Sequence, residues 1–219
     1  MTDFSKSWEG WQLKTDLADI EERMLDPEEG IVLVESGIDI HPLLQQVAAG
    51  VQQFIAQDFA NKQKGLKKSR QLTFNPRSEA DWSWYLESGL EQHIPGAKEV
   101  MSEVQQVTRE LKKPIEARLE PDPHIDLGRV TNSLVIVAQR RSQPRPTHID
   151  YRPSTMWLGA TKPALKVMYR GEWITIDDVP PAHLLWWRGA HAYDGATQLE
   201  AIRHWAPFRS MSRRVIALA

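Results

Sequence analysis

Two positions in the chain place a histidine two residues ahead of an aspartate, His124-Ile125-Asp126 and His148-Ile149-Asp150. On an extended strand that spacing turns both side chains to one face, where an imidazole nitrogen and a carboxylate oxygen can reach the same cation. The chain has no cysteine. Thiolate zinc, iron–sulfur clusters and thiol nucleophiles are thereby excluded, and any metal is held by His and carboxylate. A chain of this composition yields roughly 0.4 such pairs by chance, so context has to separate them. His148-Ile149-Asp150 follows a strand-like apolar run and the Pro-rich bend RRSQPRPT, and precedes another strand candidate. His124-Ile125-Asp126 lies between Pro123 and Gly128, where the patterning of the chain changes, and reads as a surface turn. A third ligand comes from His183, His191 or His204. His183 sits in an apolar run and reads as a hydrogen-bonded strand residue. His191, in the turn RGAHAYDG beside Asp194, rivals His204. His41 and His93 read as loop or cap residues.

The elements that must position these groups fall into two regions. Ile31 to Glu35 reads as a short strand, followed by a turn at Ser36-Gly37. From Pro42 to about Lys62, Leu43, Leu44, Val47, Val51, Phe54 and Ile55 recur at helical steps, with Pro42 suited to the first turn. The basic stretch NKQKGLKKSR, residues 61–70, reads as a solvated loop. A second helix is expected from about Ala97 to Leu119, kinked or interrupted at Pro114. Beyond Pro123 come short apolar runs: Leu134 to Ala138, Thr155 to Leu158, Ala164 to Tyr169, Glu172 to Ile176, His183 to Trp187 and Val215 to Leu218. Short strands at this spacing predict a sandwich or barrel.

Composition bounds the rest. At 219 residues, with 41% hydrophobic and 26% charged side chains, the chain suits one soluble domain with a full core. Residues 1–219 are expected to form that single domain, with 1–125 mainly helical and 126–219 forming the β core. No apolar run is long enough for a membrane helix, and the N-terminus lacks the pattern of a signal peptide, which makes the cytoplasm the expected compartment. The net charge of −2 gives no general attraction to nucleic acid or anionic lipid. Nine Trp against four Tyr and five Phe is an unusual balance, and most are expected to be packing.

The C-terminal stretch GATQLEAIRHWAPFRSMSRRVIALA, taken with His148-Ile149-Asp150, resembles the Fe(II)/2-oxoglutarate-dependent oxygenases, specifically the isopenicillin N synthase-like branch. There a His-x-Asp pair is followed fifty to sixty residues later by a second His, and about ten residues on by an Arg opening the last core strand. Here His204 is 56 residues beyond His148, and Arg213 and Arg214 follow it by 9 and 10. The segment LKVMYRGEWITIDDVPPAHLLWWRGAHAYDGATQLEAIRHWAP is similar to the family's progression of strands and turns towards the distal His. IVLVESGIDIHPLLQQVAAGVQQFIAQDFANKQK is similar to the branch's opening strand, turn and long helix.

The resemblance implies an α+β fold with a double-stranded β-helix (jelly-roll) core and N-terminal helices packed on it. It implies His148, Asp150 and His204 as a facial triad for Fe(II), leaving positions for O2 and 2-oxoglutarate. It implies that Arg213 or Arg214 anchors the far carboxylate of 2-oxoglutarate through a bidentate fork. In strand alternation Arg213 shares a face with the smaller Val215 and Ala217, which favours it slightly if that face lines a pocket. The family's Ser two residues beyond this Arg is replaced by Val215 or Ile216, and its Tyr ahead of the His-x-Asp strand by Gln139 or Arg141. The implied reaction oxidises, by default hydroxylates, an unactivated C–H of a small molecule while 2-oxoglutarate becomes succinate and CO2. Trp157, seven residues past Asp150, is a candidate for the substrate pocket. Arg140, Arg145 and Arg209 read as solvent-facing charge. Two other classes fit parts of the pattern: a cupin-like metal enzyme doing non-oxidative chemistry, and a non-enzymatic module binding nucleic acid through residues 61–70. The absence of a recognition motif and the slightly acidic charge speak against the latter.

Overall fold

A computed structural model describes residues 17–63, 82–86, 90, 93–119, 134–140, 147–161, 165–176, 179–205 and 213–219. The elements in chain order are α1 (Leu17–Leu25), β1 (Ile31–Glu35), α2 (His41–Gln63), β2 (Trp82–Leu86), α3 (Ala97–Arg118), β3 (Val135–Arg140), β4 (Ser154–Ala160), β5 (Leu165–Tyr169), β6 (Glu172–Ile176), β7 (His183–Arg188), β8 (Tyr193–Asp194), β9 (Thr197–Gln198), β10 (His204–Trp205) and β11 (Arg213–Leu218). Among the described residues no helix is long and apolar enough to cross a membrane. The segments carrying His124, Asp126, Arg141, Arg145, Arg209 and most of the basic stretch 61–70 lie outside the described residues.

Six strands form an antiparallel sheet in the order β1-β7-β4-β11-β3-β2, and β10-β5-β6 form a second. Strands β1, β4 and β7 of the large sheet are apolar without alternation (IVLV, TMWL, LLWW) because both of their faces are covered. Val32, Val34, Met156, Leu158, Leu184, Trp186, Val215 and Ala217 pack in one cluster with side chains of all three helices. Ile31, Leu33, Trp157, Ala160, Leu185 and Trp187 turn the other way and meet Leu165, Val167, Ile174 and Ile176 of the small sheet. The result is three layers: helices, large sheet, small sheet.

Helix α3 runs through Pro114 without interruption. Pro114 is on the exposed side, where water can take the carbonyl that loses its partner. The first 125 residues also supply two strands, β1 and β2, to the large sheet, of which only β1 carried a sequence signal. Trp186 and Trp187 are buried as expected, one in each apolar layer. Trp173, in contrast, is 41% exposed and meets Trp205 edge-on at 6.4 Å, on the side of the small sheet away from the inter-sheet layer. Tethering α1 is Arg188 at the end of β7, whose buried guanidinium donates to the carbonyls of Met24, Asp26 and Pro27 at 3.0, 2.7 and 3.1 Å. Gly30, at φ +66°, makes room for that guanidinium: a Cβ there would lie 2.4 Å from Nε.

Candidate metal centre

Two segments bring the site together. His148 lies just before β4 and pairs as an isolated bridge with His204, which opens β10. The two residues exchange both backbone hydrogen bonds at 3.0 Å. That close pairing places their rings 4.2 Å apart, centroid to centroid. Asp150, two residues on, returns its side chain to the same face. His148 Nε2 is 4.0 Å from Asp150 Oδ1, and His204 Nε2 is 3.5 Å from Asp150 Oδ2. One ligand atom from each residue lies within 4.8 Å of the other two, and among the described residues this is the only such group of three.

The ring orientation of His204 is set by its surroundings. Nδ1 donates to the carbonyl of Ile202 at 3.2 Å, which leaves the Nε2 lone pair directed at the site. The ring is 6% exposed and packs against Trp187 with centroids 5.2 Å apart. His148 and Asp150 are half-buried, so the group has one covered side and one open side. Asp150 Oδ2 accepts from Thr155 Oγ1 at 2.8 Å. The backbone of the 150–153 turn is clasped by the segment after β7: Gly189, Ala190 and His191 donate to Pro153, Asp150 and Arg152 at 2.9, 2.8 and 3.1 Å. Thr155 and this clasp had no distinguishing mark in the sequence, since a Thr in a strand and a Gly in a turn are ordinary.

The donor set fits a small divalent cation. Adjacent ligands each about 2.1 Å from one ion stand about 3 Å apart, so three ligand atoms within 4.8 Å of one another close around it by less than about 2 Å. Two imidazoles and one carboxylate on one side leave the opposite side open, the arrangement suited to Fe(II) with exchangeable ligands.

The rival ligands are elsewhere. His191 is engaged through its backbone with Arg152, with its ring 6.3 Å from that of Tyr151, and is not part of the group. His183 opens β7 and donates from Nδ1 to Pro181 at 2.7 Å. His41 pairs with Asp39 at the start of α2, and His93 stacks on Phe54. Arg213 and Arg214 open β11, opposite Arg140 and Gln139 of β3. Val215 and Ala217 belong to the helix-side layer, whereas Leu218 packs against the inter-sheet layer that reaches Trp187. By backbone alternation, position 214 shares the parity of Leu218 and position 213 that of Val215. The small residues Val215 and Ala217 line the helix-packed face. Trp157 is buried in the inter-sheet layer.

No protein-family model matches the sequence, and no curated protein matches it. Solved structures do match in fold. A Caulobacter crescentus protein assigned to the 2OG-Fe(II) oxygenase family aligns at TM-score 0.54 with 14% identity over 94% of this chain and 85% of that one. A Shewanella oneidensis protein assigned as an oxygenase aligns at 0.54 with 11% identity over 92% and 84%. A full-length Neurospora crassa protein, in complex with alpha-KG, aligns at 0.51 with 12% identity over 92% and 77%. The chain shares its fold with these solved structures, as the resemblance implied.

Proposed function

We propose that the protein is a non-haem Fe(II)- and 2-oxoglutarate-dependent dioxygenase that oxidises, most simply hydroxylates, a C–H bond of a small molecule. The observation that carries this reading is the convergence of His148, Asp150 and His204, from a loop and a distant strand, at the open edge of an oxygenase fold. The β part supports a jelly roll in its strand order: β3, β4, β7 and β11 enter the large sheet, while the His148 bridge, β5, β6 and β10 enter the small one. Residues 1–219 form a single domain in this reading.

Bound Fe(II) would supply O2 activation, with the oxidation balanced as R–H plus O2 plus 2-oxoglutarate giving R–OH, succinate and CO2. His148, Asp150 and His204 hold the ion and leave its other side to cosubstrate and O2. Arg214 anchors the far carboxylate of 2-oxoglutarate through its planar fork, on the parity that serves the inter-sheet space. Trp187 and the inter-sheet apolar side chains exclude water from the covered side.

The test is Fe(II)-dependent conversion of 2-oxoglutarate to succinate, measured with a panel of small-molecule C–H substrates and without substrate. Wild type should form succinate, and His204→Ala should abolish it. No turnover by wild type under any of these conditions, or full turnover by His204→Ala, contradicts the proposal.

A further inference from the structure

Thr155 and Trp187 are register partners, Thr155 on β4 and Trp187 on β7, and both turn to the inter-sheet side. Each touches a different member of the metal group. Thr155 Oγ1 donates to Asp150 Oδ2 at 2.8 Å, and the Trp187 ring packs against His204 with centroids 5.2 Å apart. The carboxylate and the imidazole otherwise come from segments more than fifty residues apart in the chain. One cross-strand pair of the large sheet therefore seats both.

We infer that Thr155 is a positioning residue for the metal centre, holding the Asp150 carboxylate through its hydroxyl while Trp187 beside it holds the His204 ring. This inference rests on the proposed metal-binding function. Its physical basis is threefold. Thr155 is 3% exposed and its hydroxyl is fixed by a strand whose next-door residue, Ser154, is itself anchored: Ser154 Oγ donates to Glu116 of α3 at 2.7 Å. Consecutive strand residues point to opposite faces, so the start of β4 is pinned on both sides. The hydroxyl donates to Oδ2 of a carboxylate whose two oxygens face the two histidines, Oδ1 4.0 Å from His148 Nε2 and Oδ2 3.5 Å from His204 Nε2, so one hydrogen bond fixes the rotation of the group towards both. An outer partner of this type characteristically contributes about 10- to 100-fold in metal affinity by orienting a ligand that would otherwise have to be ordered on binding.

The experiment uses the full chain and Mn(II), which needs no anaerobic handling, with free Mn(II) followed by electron paramagnetic resonance. Thr155→Val keeps the shape and suits a strand, so the fold is retained; Thr155→Ser restores the hydroxyl. Urea unfolding of the metal-free proteins separates folding from binding. The expected result is affinity about 10- to 100-fold weaker for Thr155→Val and within a few-fold of wild type for Thr155→Ser. A loss under about tenfold in Thr155→Val, or a Ser variant as weak as the Val variant, overturns the role of the hydroxyl. If wild type itself binds no Mn(II), the metal-centre reading fails instead, which keeps the two failures distinct.

Discussion

Replacing Lys112 by Met probes the charged contact that α3 brings to the start of β4. Lys112 and Glu116 lie one helical turn apart, both 0% exposed, with Nζ 3.5 Å from Oε1. Ser154 Oγ donates to that same oxygen, while Lys112 Nζ and Glu116 Oε2 lack hydrogen-bond partners among the described residues. Burial pushes the Lys112 ammonium below its ordinary value of 10.5, against the opposing pull of the Glu116 carboxylate. Removing one member leaves an uncompensated buried charge, at a cost of about 3–5 kcal/mol. Removing both, as Lys112→Met with Glu116→Leu, abolishes two desolvation penalties and forfeits the Ser154 hydrogen bond, worth about 1.5–3 kcal/mol to a charged acceptor. The double variant should therefore be no less stable than either single one, with a coupling energy of at least about 2 kcal/mol in urea unfolding. The pH dependence has a defined sign. Between the lowered folded value and 10.5 the unfolded chain binds more protons at Lys112 than the folded chain does. Wild type thus gains stability relative to Lys112→Met as pH rises through that window, at up to about 1.4 kcal/mol per pH unit. Strictly additive single variants, or a difference that falls with rising pH over that range, would refute the reasoning.

Other perturbations follow from single contacts. A Cβ at Gly189 would lie 2.0 Å from the Arg152 carbonyl oxygen and 2.8 Å from that of Asp150, so Gly189→Ala should displace the 150–153 turn, cost about 1–3 kcal/mol in urea unfolding and weaken Mn(II) binding. Arg188→Met removes donors to three carbonyls and should lower stability by about 3 kcal/mol or more, partly offset by the release of a guanidinium whose charged form burial disfavours. Arg214→Met should raise the KM for 2-oxoglutarate at least about tenfold with Arg213→Met nearer wild type, measured by succinate formation; the reverse order would return the anchor to Arg213.

Helices α2 and α3 and most core strands were visible in the sequence because their apolar residues repeat at the period of the element, whereas α1 was missed. β1 and β6 occupy the residues expected of them, and α2 and α3 differ by a residue or so at their ends. β2 was missed, and so was β10, which at two residues is too short to carry a period. His148, Asp150 and His204 were singled out in the sequence by the absence of cysteine, the His-x-Asp pair and the family resemblance, and the structure brings these three side chains together. The residues alone left His191 as a rival and the resemblance favoured His204; the backbone bridge that sets His204 beside His148 depends on how the sheets fold together. Which face of β11 meets the helices depends on the same packing. Small side chains suggested a pocket, whereas Val215 and Ala217 are small because helices pack closely on them. Thr155, finally, acts through one hydroxyl in a strand that is otherwise apolar, and only its 2.8 Å contact distinguishes it.

The central claim is that His148, Asp150 and His204 hold an Fe(II) to which 2-oxoglutarate binds. Its most direct test is an anaerobic titration of Fe(II) and 2-oxoglutarate into wild type, His204→Ala and His191→Ala, followed through the weak charge-transfer absorbance of the chelated cosubstrate. The account predicts the band in wild type and His191→Ala and its loss in His204→Ala. A band that survives in His204→Ala but disappears in His191→Ala would contradict it.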